Sequence, residues 1–333
     1  MIFHPAIIAL YVSSILISFM VLYSASYGIQ ILGRWDIRSG SELQLVLERK
    51  TYLISTLLTY LFGFELLSLF LFIFTTDQLH TFFVGAMCAA GSLHVNGYGY
   101  PALILKLANF LFAGLWLILN YADNQAYDYP LIKKKHALLL FLTPLIIGET
   151  VLQANYFLRL KPDIITSCCG TLFSTETDSL FSEVTVVPNL PMKVSFYVSV
   201  ILTFTSGAYY YLKRKGAYLF AAICAVTFFS SVLSLISFIS VYFYELPTHH
   251  CPFCILQREY GYIGYPLYMT LLGGAISGVG VGVLMPFRNI KSLVEVIPSL
   301  QRRLVIVSLA LFLLFTTIVT YRIIFSDFIL EGY

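Results

Sequence analysis

Long apolar runs separated by short polar connections govern this chain from one end to the other. A helix that crosses hydrocarbon needs about 20 apolar residues at about 1.5 Å each. Eight runs reach that length: Ala6 to Leu32, Tyr52 to Thr75, Pro101 to Asn120, Ala137 to Leu158, Val194 to Leu212, Ala217 to Tyr244, Tyr262 to Met285 and Leu304 to Phe325. The pattern predicts an all-α polytopic integral membrane protein, a bundle of about eight transmembrane helices forming one domain over residues 1–333. A further apolar piece at 82–93 is too short to cross and contains Gly85, Cys88 and Gly91. It reads as a re-entrant or interfacial segment, tolerated at depth only where protein or water covers its backbone. The first run has no Lys or Arg ahead of it and is longer than the core of a cleaved signal, so it is expected to remain as the first span.

Composition agrees with the pattern. Hydrophobic residues make up 59% of the 333, and only 11% are charged, against about 25% in an average soluble domain. The net charge of +3 comes mostly from short basic clusters between the runs. Such clusters orient a membrane protein and give no footing for a nucleic acid. Fourteen Lys and Arg fall in one set of alternate connections, among them Lys133, Lys134 and Lys135, and five in the other. By the positive-inside rule both termini are expected to be extracytoplasmic in a plasma membrane of the bacterial inner-membrane type. The same count places three cysteine-bearing segments, at 77–100, 159–193 and 245–261, on the extracytoplasmic side.

That face is the one where thiols become oxidised and where metals arrive, and five of the six cysteines lie on it. The densest cluster is Thr248-His249-His250-Cys251-Pro252-Phe253-Cys254. Pro247 is expected to end the preceding helix and Pro252 to open the next turn, with both sulfurs on one side and the positive helix end favouring the thiolate of Cys251. The Cys-Pro-x-Cys spacing resembles the active sites of thioredoxin-like oxidoreductases over those four residues. It is equally a metal-ligand spacing, since His249, His250, Cys251 and Cys254 offer four donors in six residues. A structural disulfide is the third reading.

Two other patches join this cluster. Cys168 and Cys169 are adjacent, and Cα atoms about 3.8 Å apart fall below the usual disulfide range, so each is expected to seek a distant partner or a soft metal. Cys88 sits among small residues that let other backbone approach, with His94 six residues on. Inside the spans, Glu65, Glu149 and Lys106 are costly charges that read either as a proton path or as a buried ion pair. Gly274, Gly278 and Gly282 recur every fourth residue, which reads as a helix-packing seam. Cys224 is left as packing. Tyr265 and Tyr268 lie just below the cysteine pair, where a quinone ring has room to rest.

Phosphate-binding, dinucleotide-binding, Gly-x-Ser-x-Gly, His-Glu-x-x-His and covalent-haem signatures do not occur in the sequence. What remains is a membrane-embedded thiol-disulfide oxidoreductase or electron-transfer protein. Cys251 would attack, Cys254 would resolve, and Cys88, Cys168 or Cys169 would pass electrons on, with quinone as a candidate acceptor. In this logic it resembles DsbB-like and vitamin K epoxide reductase-like proteins, which carry a Cys-x-x-Cys at the membrane boundary. The alternative is a non-catalytic protein that holds copper, zinc or iron through the same Cys and His residues. A third reading is a structural subunit of a larger membrane complex. The expected partners are the lipid bilayer and an extracytoplasmic redox or metal partner protein.

Overall fold

In the computed structural model, residues 4–37, 39–162, 164–166 and 189–328 are described. Cys168 and Cys169 lie outside the described residues. The described chain is helical, with one isolated bridge, Val84 to Ile165. The principal helices are α1 (Pro5–Arg34), α2 (Glu42–Gln78), a short α3 (Ala89–His94), α4 (Gly99–Asn124), α5 (Ile132–Leu158), α6 (Asn189–Lys213), α7 (Ala217–Ser234), α8 (Ser240–Tyr244), α9 (Gly264–Val283) and α10 (Val296–Phe325). Seven helices among the described residues are long and apolar enough to cross a bilayer, which makes this an integral membrane protein. The run expected from Val194 to Leu212 forms the 25-residue α6 but is not among the seven. Its apolar face is diluted by hydroxyls: Ser199, Thr203, Thr205 and Ser206 each bond a carbonyl one turn back, which satisfies them inside the helix.

The chain divides into two compact units. The first comprises Met1–Thr75, Asn96–Pro162 and Pro286–Leu300. Its core gathers Ile17 and Val21 of α1, Ile54, Leu58 and Phe62 of α2, Ala113 and Trp116 of α4, and Leu139, Leu142 and Ile146 of α5. Phe62 meets Trp116 edge-on at 4.9 Å. Several polar side chains within this unit are paired across helices. Gln153 donates to Ser14 Oγ at 2.8 Å, and Ser18 pairs with Thr150 at 2.7 Å. Lys135, one of the three lysines in the orienting cluster, is buried and bonded to Asp123 at 2.7 Å and to Asn120 at 3.0 Å.

The second unit comprises Thr76–Val95, Asp163–Met285 and Gln301–Tyr333. Its helices close on glycine. A Cβ at Gly278 would strike Cys224, with the Cys224 Cβ only 2.6 Å away, and one at Gly282 would stand 2.6 Å from Ala221 Cβ. The small-residue repeat of α9 is therefore a seam against α7, and Cys224 is the side chain that fills it. Ser308 Oγ of α10 donates to the Gly274 carbonyl at 2.8 Å across the same surface. Between α7 and α8 the helix widens into a π-turn at Leu235–Ile239. An inserted residue of this kind frees a carbonyl from the ladder and rotates the turn that follows.

Replacing Gly278 by Ala will lower the stability of the detergent-solubilised chain by about 1–3 kcal/mol, the usual range for overpacking. Cys224→Gly in the same chain will recover part of that loss in a thermal melt, because it removes the atoms the new methyl strikes.

Candidate thiol site

Cys251 to Cys254 lie on the irregular stretch between α8 and α9. Glu245 ends α8 in the left-handed region at φ 56°. A three-residue 3-10 turn follows at Cys254–Leu256, a second at Arg258–Tyr260, and α9 begins only at Gly264. This corrects the expectation that Pro252 opens a helical turn whose positive end acts on Cys251, while the membrane helix begins two residues from the expected Tyr262. The left-handed Gly261 and Tyr262 separate the pair from α9, and a three-residue turn has almost no macrodipole.

Two tyrosines fix the turn instead. Tyr244, the last residue of α8, donates its hydroxyl to the Cys251 carbonyl at 2.5 Å and accepts the Ile255 N–H at 2.9 Å. Tyr268, one turn into α9, donates to the Pro252 carbonyl at 2.5 Å. Gly264 lets α9 press on the turn, for a Cβ there would lie 2.9 Å from the Ile255 carbonyl oxygen. Backbone polar groups that no helix satisfies are thus taken up by phenols, which are themselves buried by their rings.

Cys88 arrives from 163 residues away. It stands at the N-terminal edge of α3 with extended backbone, and Asp77 caps that helix by accepting the Ala89 N–H at 3.1 Å. The side chain of Gln257, three residues past Cys254, donates to the Met87 carbonyl at 2.7 Å and to the same Asp77 oxygen at 3.2 Å. These bonds lash the Cys88 segment to the Cys-Pro-Phe-Cys turn. Thr166 pins the other side, donating to the Gly91 carbonyl and, through its N–H, to Val84. Gly85, at φ 89°, gives the room, since a Cβ there would lie 2.6 Å from the Thr166 oxygen.

The result is a buried group of three thiols. Cys88 Sγ and Cys251 Sγ are 3.6 Å apart, and the sulfurs of Cys88, Cys251 and Cys254 all lie within 4.8 Å of one another. A disulfide bond is about 2.05 Å long, so the 3.6 Å pair is in van der Waals contact. His249 Nε2 touches Cys254 Sγ at 3.3 Å, and its ring packs edge-on to Tyr244 at 4.6 Å. Tyr244 also meets Tyr260 at 4.9 Å. Partial burial first, and then the neighbouring Cys254, hold the Tyr260 phenol above its ordinary range, so it is neutral at physiological pH.

The other candidate residues are placed elsewhere. His250 turns toward the π-turn, its Nδ1 facing the carbonyls of Ile236 and Ser237 at 3.0 Å each. Two acceptors require that nitrogen to carry the proton, so His250 ties the loop to the π-turn by donating to its carbonyls. His94 ends α3 exposed, and its ring is not among the donors that gather with the three sulfurs. Tyr265 is half-buried and its ring stands 6.2 Å from that of Tyr262. In the first unit, Lys106 pairs with Glu149 and lies 3.9 Å from Glu65, all three buried. Asn109 donates to the other Glu149 oxygen at 2.6 Å.

Sequence reasoning gave Asp77, Gln257 and Tyr244 no part in the thiol site. Asp77 did carry a signal, as a carboxylate at the end of an apolar run just before a cysteine; Tyr244 is one of 24 tyrosines and carried none. Tyr244→Phe will leave the Cys251 carbonyl and the Ile255 N–H buried without partners, at a cost of about 1–3 kcal/mol. Cys251 and Cys254 will then react with a maleimide severalfold faster in the folded protein. Tyr260→Phe, which keeps the ring contact, will leave that rate unchanged.

Comparison with protein-family models, with curated proteins and with solved structures finds no match to this chain.

Proposed function

We propose that this protein is a membrane-embedded thiol-disulfide oxidoreductase whose relay runs through Cys88, Cys251 and Cys254. The observation that carries the reading is the 3.6 Å contact between Cys88 Sγ and Cys251 Sγ, with Cys254 beside them and His249 on Cys254. With Cys251 and Cys254 joined, the Cys88 thiolate attacks the Cys251 sulfur. The Cys88–Cys251 bond forms, the Cys251–Cys254 bond breaks, and the electron pair leaves on Cys254. His249 Nε2 delivers to that thiolate the proton lost by Cys88, so charge and electron count are conserved.

Net turnover moves two electrons and two protons from a substrate dithiol to an acceptor, either a protein disulfide, which becomes two thiols, or a quinone, which becomes a quinol. A cleft of about 690 Å³, lined by Phe243, Glu259, Tyr260, Ile263, Tyr321 and Arg322, opens beside Tyr260, whose ring contacts Tyr244. Its size is that of a small-molecule site. It is a better seat for a quinone ring than Tyr268, whose hydroxyl is committed to Pro252. We read α6 as an eighth span; an even count together with the positive-inside asymmetry supports both termini and the thiol site being extracytoplasmic in a plasma membrane, where a thiol-bearing partner protein or larger complex meets it.

A second reading is favoured by a specific observation. Three sulfurs converge, His249 Nε2 touches one of them, and 3.6 Å is close to the edge of a tetrahedron of sulfurs about 2.3 Å from a zinc ion, about 3.8 Å. Cys88, Cys251, Cys254 and His249 would then hold zinc or copper(I), which supplies structure or metal handling and needs the thiols reduced.

Acid-trapped differential alkylation in native membranes separates the readings. The relay predicts that Cys251 and Cys254 oxidise and reduce together as the ambient potential is stepped, and that Cys88→Ser, which lacks the attacking thiolate, accumulates the Cys251–Cys254 disulfide. Thiols that stay reduced at every potential, with one equivalent of metal that is lost in Cys88→Ser, replace the relay by the metal site. A Cys251–Cys254 disulfide that no reductant opens in the folded chain rejects both.

A further inference from the structure

The first unit holds two buried charge clusters, and they differ in balance. At one end of α4, Lys135 faces Asp123, one cation to one anion, and Asn120 completes the lysine's bonds. About 25 Å along α4, at 1.5 Å per residue, Lys106 faces two carboxyl groups, Glu149 and Glu65. All three are at most 2% exposed. The groups whose charge acts on Glu65 are Lys106 of α4 and Glu149 of α5. The Ser68 hydroxyl donates to the Glu65 backbone carbonyl, and α1, packed on α5, carries no charged residue before Arg34.

The hydrogen bonds of the two carboxyls are unequal. Both oxygens of Glu149 have donors, Lys106 on Oε1 and Asn109 on Oε2. Glu65 Oε1 is buried with no hydrogen-bond partner, as is Asn109 Oδ1. Two carboxylates against one ammonium would leave a net negative charge in hydrocarbon surroundings, which costs several kcal/mol or more. Two carboxylates in one site do not both ionise when a proton is available.

We propose that the Glu65–Lys106–Glu149 cluster is a proton-binding site within the membrane, holding one exchangeable proton on Glu65 while Glu149 stays ionised against Lys106 and Asn109. The proton neutralises the cluster and makes Glu65 a donor where it is now only an acceptor. The site stands independently of the thiol reading.

Infrared difference spectroscopy of the full chain in lipid, in H2O and D2O, tests it through the carbonyl stretch of a protonated carboxyl. The wild type at neutral pH will show one deuterium-sensitive oscillator that is lost in Glu65→Gln. It will also be lost in Glu149→Gln, because a single remaining carboxylate balances Lys106. Lys106→Met will gain one oscillator, a change of opposite sign that unfolding does not mimic, since exposed carboxyls ionise. An unchanged signal in Glu65→Gln overturns the proposal. Persistence of the signal in Glu149→Gln overturns it as well, since the proton would then not be set by charge balance.

Discussion

Backbone that leaves a helix in apolar surroundings must find partners for its N–H and C=O groups, and this requirement shapes the stretch from Glu245 to Ile263. The groups of the Cys-Pro-Phe-Cys turn and its edge are met by Tyr244 from the helix before it and Tyr268 from the helix after it, while Gln257 and Asp77 tie the Cys88 segment to the same loop. Each bond also positions a sulfur. The Tyr244 hydroxyl sits between the Cys251 carbonyl and the Ile255 N–H, so the two cysteines cannot drift apart while it holds. Asp77 binds both the cap of α3 and Gln257, and so Cys88 is delivered to Cys251 by the same carboxylate that closes the loop. Satisfying the backbone and assembling the thiols are one event here.

The π-turn belongs to the same economy. The helix widens at Leu235–Ile239, and His250 donates from the loop to the carbonyls of Ile236 and Ser237 within that turn. The two adjacent histidines thus divide their work. His250 secures the loop to the helix, and His249 touches the sulfur.

Much of this was legible in the chain, for physical reasons that can be traced residue by residue. Seven of the eight expected spans follow from run length, and the glycine repeat of α9 announced a seam because small residues every four positions have few other uses in hydrocarbon. Cys88 could be suspected from its small neighbours, but its contact with Cys251 spans 163 residues and depends on Asp77 and Gln257, whose roles have no periodicity to reveal them. The helical turn expected to open at Pro252 does not form, because a proline permits a helix start without compelling one, whereas the span expected from Tyr262 begins at Gly264, behind left-handed Gly261 and Tyr262. The α6 hydroxyls show the opposite case, polar by composition yet satisfied within their own helix. Lys135 counts toward orientation in the sequence but is committed to Asp123 in the fold.

The central claim is that Cys88 and the Cys-Pro-Phe-Cys turn form one site. Treating native membranes with a short bifunctional thiol reagent and mapping bridged peptides by mass spectrometry tests it most directly. Bridges from Cys88 to Cys251 or Cys254, abolished by Cys88→Ser and weakened when Asp77→Asn and Gln257→Leu loosen the tie, are the predicted result. Cysteines that react singly and never bridge would contradict the account.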